Sequence, residues 1–128
     1  MKIIIFILFA LMLCNCKAQV PCSLKIKCVD WDILTIAHVS CDNFDQAFKS
    51  QEKIIILNNK DDLDSITAIL RNLKVDTSNY LPDVRVKMEL FINGKISIYG
   101  LSKGGICRDS TAYILPKKLV SILDKYLK

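Results

Sequence analysis

Apolar and polar positions alternate with period two from Ser23 to Val29, where Leu24, Ile26 and Cys28 interleave with Lys25 and Lys27. That spacing predicts a half-buried strand. The β-branched run Ile33 to Val39 predicts a second strand, paired with the first through a turn at Asp30-Trp31-Asp32. Asp42 is placed to cap a short helix whose apolar face is Phe44, Ala47 and Phe48. Lys53 to Leu57 reads as a short strand. From Asn59 to Leu73 the period changes to that of a helix, with Leu63, Ile66, Leu70 and Leu73 on one side. Asn59 can cap it, and Asp61, Asp62 and Asp64 suit the positive end of its dipole. These aspartates lack the ligand alternation, central Gly and terminal Glu of a calcium loop.

After a loop over residues 77–82, strict alternation resumes at Val84, and Asn93-Gly94 marks a hairpin inside residues 84–101. Two registers are possible. A two-residue Asn-Gly turn pairs Leu90 with Ser97 and Glu89 with Ile98. A three-residue loop, Ile92-Asn93-Gly94, pairs Leu90 with Ile96 and Met88 with Ile98, gathering the aliphatic residues on one face. The second is the register expected. It leaves Arg85, Lys87, Glu89, Phe91, Lys95, Ser97 and Tyr99 on the outer face. Gly104-Gly105 and Arg108-Asp109-Ser110 predict further turns, bounding short strands at 106–107 and 111–115. Pro116 suits the first position of a final helix, with Leu119, Ile122, Leu123 and Tyr126 as its apolar stripe and Lys125 and Lys128 near its negative end.

This order predicts an α+β fold: an antiparallel sheet of about five to six strands with two main helices packed on one face. Residues 19–128 form a single domain, with no repeat and no linker. Among the 128 residues, 52% are hydrophobic and 24% charged, which is globular composition.

Residues 1–18 read as an address. Lys2 precedes an unbroken apolar run of 11 residues from Ile3 to Leu13. A membrane span needs about 20, whereas the core of a signal peptide needs about 7–15. Two cleavage positions compete. Leu13-Cys14-Asn15-Cys16 is lipobox-like, with cleavage before Cys16 and lipid attachment to it. The alternative is cleavage after Ala18, which yields a soluble secreted chain. Both expectations put the mature protein outside the cytoplasm, in the periplasm or at the outer membrane or cell surface.

Export changes the reading of the cysteines. Beyond the leader stand Cys22, Cys28, Cys41 and Cys107, and four cysteines allow three pairings into two disulfides. If residues 24–29 and 33–39 form a hairpin, Cys22 faces Cys41 and Cys28 is left for Cys107. A metal or thiol-redox alternative would use the same four residues with His38, but the spacing lacks the paired ligands of zinc sites. No metal and no cofactor is expected.

His38 is the single histidine, and no nucleophile elbow or phosphate-binding glycine loop accompanies it. An enzyme is therefore not expected. Trp31, the single tryptophan, would be exposed at the hairpin tip between Asp30 and Asp32. Charge is segregated: residues 29–79 carry 9 acidic and 5 basic side chains, and residues 80–128 carry 4 acidic and 9 basic. The mild basic excess argues for an acidic partner or an anionic envelope surface rather than nucleic acid.

The leader with Asn15-Cys16-Lys17-Ala18-Gln19, the Asp-started helix, Asp83-Val84-Arg85-Val86-Lys87 and the Asn-Gly-Lys hairpin together cover roughly three-quarters of the chain. In these features it resembles small exported lipoproteins of unknown function from Bacteroidota-type bacteria. The resemblance implies location and architecture only. The function expected is a non-enzymatic, lipid-anchored envelope module that binds a macromolecular partner through Trp31, Arg85, Lys87, Phe91 and Tyr99. An envelope immunity or inhibitor protein is the alternative, beside the Cys/His thiol-redox or metal-binding protein.

Overall fold

The computed structural model describes residues 22–78 and 80–127. The leader, its cleavage positions and Cys16 lie outside them. Six strands form one antiparallel sheet: β1 (Cys22–Cys28), β2 (Lys53–Leu57), β3 (Val86–Ile92), β4 (Lys95–Ser102), β5 (Gly105–Arg108) and β6 (Thr111–Tyr113), in the spatial order β2-β1-β3-β4-β5-β6. The helices are α1 (Phe44–Ala47), α2 (Lys60–Arg71) and α3 (Lys117–Leu127). The fold is α+β.

One sheet face carries Leu24, Ile26, Cys28, Leu57, Val86, Met88, Leu90, Tyr99, Leu101 and Ile106, all buried. Helices α2 and α3 close it with Leu63, Ile66, Leu70, Leu119, Ile122 and Leu123 in the same apolar cluster. Asn59 caps α2 by accepting the Asp62 N–H at 3.1 Å. Asp62 in turn accepts from Tyr126 and from Lys125, so the first turn of α2 is tied to the last turn of α3. Hydrogen bonds from Tyr126 and Lys125, working against burial, hold the Asp62 carboxyl below its ordinary range.

The β3–β4 hairpin adopts the two-residue turn. Leu90 pairs with Ser97, Met88 with Tyr99 and Val86 with Leu101. Asn93 (φ 51°) and Gly94 (φ 73°) supply the two left-handed conformations that this turn requires. The bulged register is thus overturned. Tyr99 and Leu101, not Ile96 and Ile98, fill the helix side, and Arg108 lies over the Tyr99 ring at 5.7 Å. The reason is twist: a two-residue turn with both φ positive matches the strands' own right-handed twist. The larger Tyr99–Leu101 pair then satisfies the core.

The expected strand over Ile33 to Val39 is absent. Both edges of β1 are already occupied, by β2 and β3, so no hydrogen-bonding edge remains for it. Residues 29–52 instead form an irregular strap that includes α1: Trp31 packs toward the helix-side core, and residues 33–48 lie on the opposite face of the sheet.

Candidate functional site

The strap is laid on the sheet by a second, smaller apolar cluster: Val39, Phe44, Phe48, Val84 and Cys107 are buried together. Phe44 and Phe48 meet edge to face at 5.1 Å. Around this cluster run polar fastenings. Asp45 of α1 accepts from the ammonium groups of Lys27 and Lys87, each at 3.0 Å, from neighbouring strands. Burial works against the Asp45 charge, but the two lysine hydrogen bonds outweigh it and hold the carboxyl below its ordinary value. The hydrogen bond to Asp45 raises the Lys27 ammonium above its own.

Arg85 is the second fastening. Its guanidinium donates to both Asp83 carboxylate oxygens, to the Val84 carbonyl and to Thr35 Oγ1, while Nε donates to the Ile33 carbonyl. The same group lies over the Phe48 ring at 5.6 Å. Asp83 also accepts the Val39 N–H at 2.7 Å. Burial opposes its charge, yet Arg85 and the Val39 N–H together hold it below the ordinary carboxylate range. The Val84 N–H donates to the Val39 carbonyl at 2.8 Å.

The third contact is between thiols. Gly100 of β4 pairs with Cys107 of β5. A Cβ on Gly100 would stand 2.5 Å from Cys41 Sγ, 2.6 Å from Val84 Cγ2 and 3.2 Å from Cys107 Sγ. The missing side chain is therefore what lets the strap's Cys41 reach the sheet and meet Cys107. Both are free thiols, and their interaction lowers Cys107 to about 7 while Cys41 is raised. They lie in a cleft of about 520 Å3 whose wall includes His38, Lys87, Asp109 and Ser110. His38 sits at its rim, with Nε2 3.2 Å from the Leu81 carbonyl oxygen.

This geometry revises the expected site. Cys22 and Cys28 face the helices, and Cys22 Sγ approaches Thr67 Oγ1 at 4.0 Å. Cys41 and Cys107 lie on the other face. The pairings Cys22–Cys41 and Cys28–Cys107 are replaced by one contact, Cys41 with Cys107, because the hairpin that suggested them does not form. Nor do the four cysteines and His38 gather. Among the described residues no three His, Cys, Asp or Glu side chains are grouped to hold a metal ion.

Of the expected partner-binding residues, Arg85, Lys87 and Tyr99 are buried. Arg85 and Lys87 are spent on the strap, and Tyr99 belongs to the helix-side core. Trp31 is half-buried against that same core rather than displayed at a tip. Asp30 accepts the Asp32 N–H, and Asp32 pairs with Lys103. Arg85 and Lys87 keep the outer face but lie under the strap; of the five only Phe91 keeps that face uncovered, half-exposed.

Its neighbours were missed by the bulged register. Lys25 pairs with Ile56 on one side and Glu89 on the other, and Glu89 pairs with Ile98. The adjacent row is Ser23, Phe91 and Ile96. Ile56, Ile96 and Ile98 are 54%, 56% and 39% exposed, beside Ile54 at 51%. The strap covers the row that holds Lys27, Lys87, Gly100 and Cys107 and leaves these two rows uncovered. Two-residue Asn-Gly chemistry was the available signal for them, and a lone glycine within a strand was the signal for Gly100.

No family model, curated protein or solved structure matches the chain.

Proposed function

We propose that this protein is a non-enzymatic binding module of the bacterial cell envelope, docking a partner protein on the uncovered rows of its sheet. One observation carries the reading: Ile56 on β2, with Ile54 beside it, Phe91 on β3, and Ile96 and Ile98 on β4 share one face of the sheet, the four isoleucines exposed and Phe91 half-exposed. Contiguous exposed apolar surface bordered by charge marks interaction sites more than scattered apolar residues do. Lys25 and Glu89 sit inside the patch, so a partner must offer polar groups to them as well as apolar surface. The leader reading supports export, and attachment of lipid at Cys16 would tether the domain so that this face meets other envelope proteins.

The test has two stages. The intact mass of the mature protein, made with its own leader in an exporting bacterium, distinguishes a lipid-bearing Cys16 from a start at Gln19. Partners are then cross-linked in the envelope, identified and re-tested as purified pairs. The double variant Ile56→Lys, Ile98→Lys is expected to lose at least ~tenfold in affinity, since two central interface anchors commonly exceed 1.4 kcal/mol together. Its thermal midpoint should be unchanged. Undiminished affinity in that variant sinks the reading. If the purified partner is an enzyme or toxin that the module silences, the immunity or inhibitor alternative is selected.

A further inference from the structure

We infer that Cys41 and Cys107 form a reversible disulfide that fastens the strap to β5 across the face of the sheet.

The geometry carries this independently of the proposed docking surface. Both sulfurs lie within 3.2 Å of one point above Gly100, and each thiol shifts the other's acidity. The supports differ in stiffness. Cys107 is buried on β5, a strand paired on both sides. Cys41 is half-exposed in an irregular segment just ahead of α1, so it can make the small adjustment that closing a bond of about 2.05 Å requires. Gly100 is the device that permits it, because any side chain there would occupy the place of the Cys41 sulfur.

The other two cysteines among the described residues cannot compete. Cys22 and Cys28 are the two ends of a seven-residue strand. At about 3.3 Å per residue they stand near 20 Å apart, far beyond the roughly 7 Å between Cα atoms that a disulfide spans. The sheet separates both of them from Cys41 and Cys107.

The cleft makes the bond exchangeable rather than sealed. Interaction with Cys41 acidifies the Cys107 thiol, to about 7, which favours the thiolate, the attacking species. The oxidant is a disulfide of the form RSSR, either a small molecule or the exposed disulfide of an oxidoreductase. The thiolate attacks RSSR, one sulfur–sulfur bond forms, the original one breaks, and RS⁻ leaves. The second thiol gives up its proton and attacks the mixed disulfide, releasing the second RS⁻. Two electrons pass from the cysteine pair to RSSR, and the pair's two protons end on the two RSH molecules. A reducing dithiol entering the cleft reverses both steps.

The experiment equilibrates the purified mature protein, without denaturant, in glutathione buffers from fully reduced to fully oxidised. Samples are quenched in acid, unfolded, alkylated, digested and mapped by mass. Two alkyl labels should disappear together, and the peptides holding Cys41 and Cys107 should appear joined, with Cys22 and Cys28 still labelled. Dithiothreitol should restore both labels without unfolding. Persistence of the Cys41 and Cys107 labels at the oxidised end overturns the inference, as does linkage of either to Cys22 or Cys28. In Cys107→Ser the internal linkage must be lost. The double variant Cys22→Ser, Cys28→Ser guards against a folding defect in that variant: it keeps the pair and must still oxidise.

Discussion

On one side of the sheet, helices of 12 and 11 residues lay down six buried aliphatic side chains. On the other, a strap whose only helix has 4 residues lays down two phenylalanines and a valine. The first face is closed by area, a non-directional attraction that tolerates small shifts. The second has too little apolar surface for that and is held by named contacts: Asp45 between two lysines, Arg85 with five hydrogen bonds, and Cys41 against Cys107. The helix face answers mainly to packing. The strap is expected to answer to pH and redox state as well, and to release without unfolding the rest.

Three perturbations sharpen that contrast. The largest effect belongs to the helix face. Leu119→Ala removes a fully buried side chain and should cost about 2–5 kcal/mol, read as a lower urea midpoint for the whole domain. A loss below about 1 kcal/mol would mean that α3 is not integral to the core.

Next is Arg85→Ala, which strips the Ile33 carbonyl, Thr35 and Asp83 of a buried donor. These acceptors are half-buried, so leaving them unpaired should cost up to about 1–3 kcal/mol. The expected signature is local: proteases cut within 29–52 much faster, while amides of β1, β3 and α3 keep their exchange protection. Equal loss of protection on both faces would erase the distinction drawn between them.

The smallest effect is that of acid. Asp45 and Asp83 both have carboxyls depressed in the folded protein. Their contribution is therefore complete above the ordinary value of 3.8 and is lost as pH falls through the lowered folded values. Pepsin should open the strap first, and increasingly below about pH 4. A strap that resists pepsin equally at pH 5 and below pH 3 would show that these carboxylates do not hold it.

The helix face was legible because its rules are periodic. Asn59, Leu63, Ile66 and Leu70 announce α2, and alternation announces β1 and β3. The strap was not legible, because Ile33 to Val39 has the composition of a strand and its own residues do not reveal that β1 has no free edge. With that false hairpin went the exposed Trp31 and the cysteine pairing. The bulged register came from counting aliphatics, which favoured Ile96 and Ile98 over the turn geometry that Asn93-Gly94 demands. One pairing choice moved Tyr99 into the core and the two isoleucines out to solvent.

Local order, then, was written in the sequence: where helices begin, which strand residues alternate, and that the described domain is α+β. Those properties depend on neighbours within a turn or a strand. Partnership across the chain was decided only by tertiary structure. The contacts of Asp45 with Lys27 and Lys87, of Arg85 with Ile33, and of Cys41 with Cys107 join residues far apart in sequence. They exist because the sheet order places β3, β4 and β5 beneath a segment that found no edge of its own. Periodicity specifies which face a residue takes; it carries no information about what will be laid across that face.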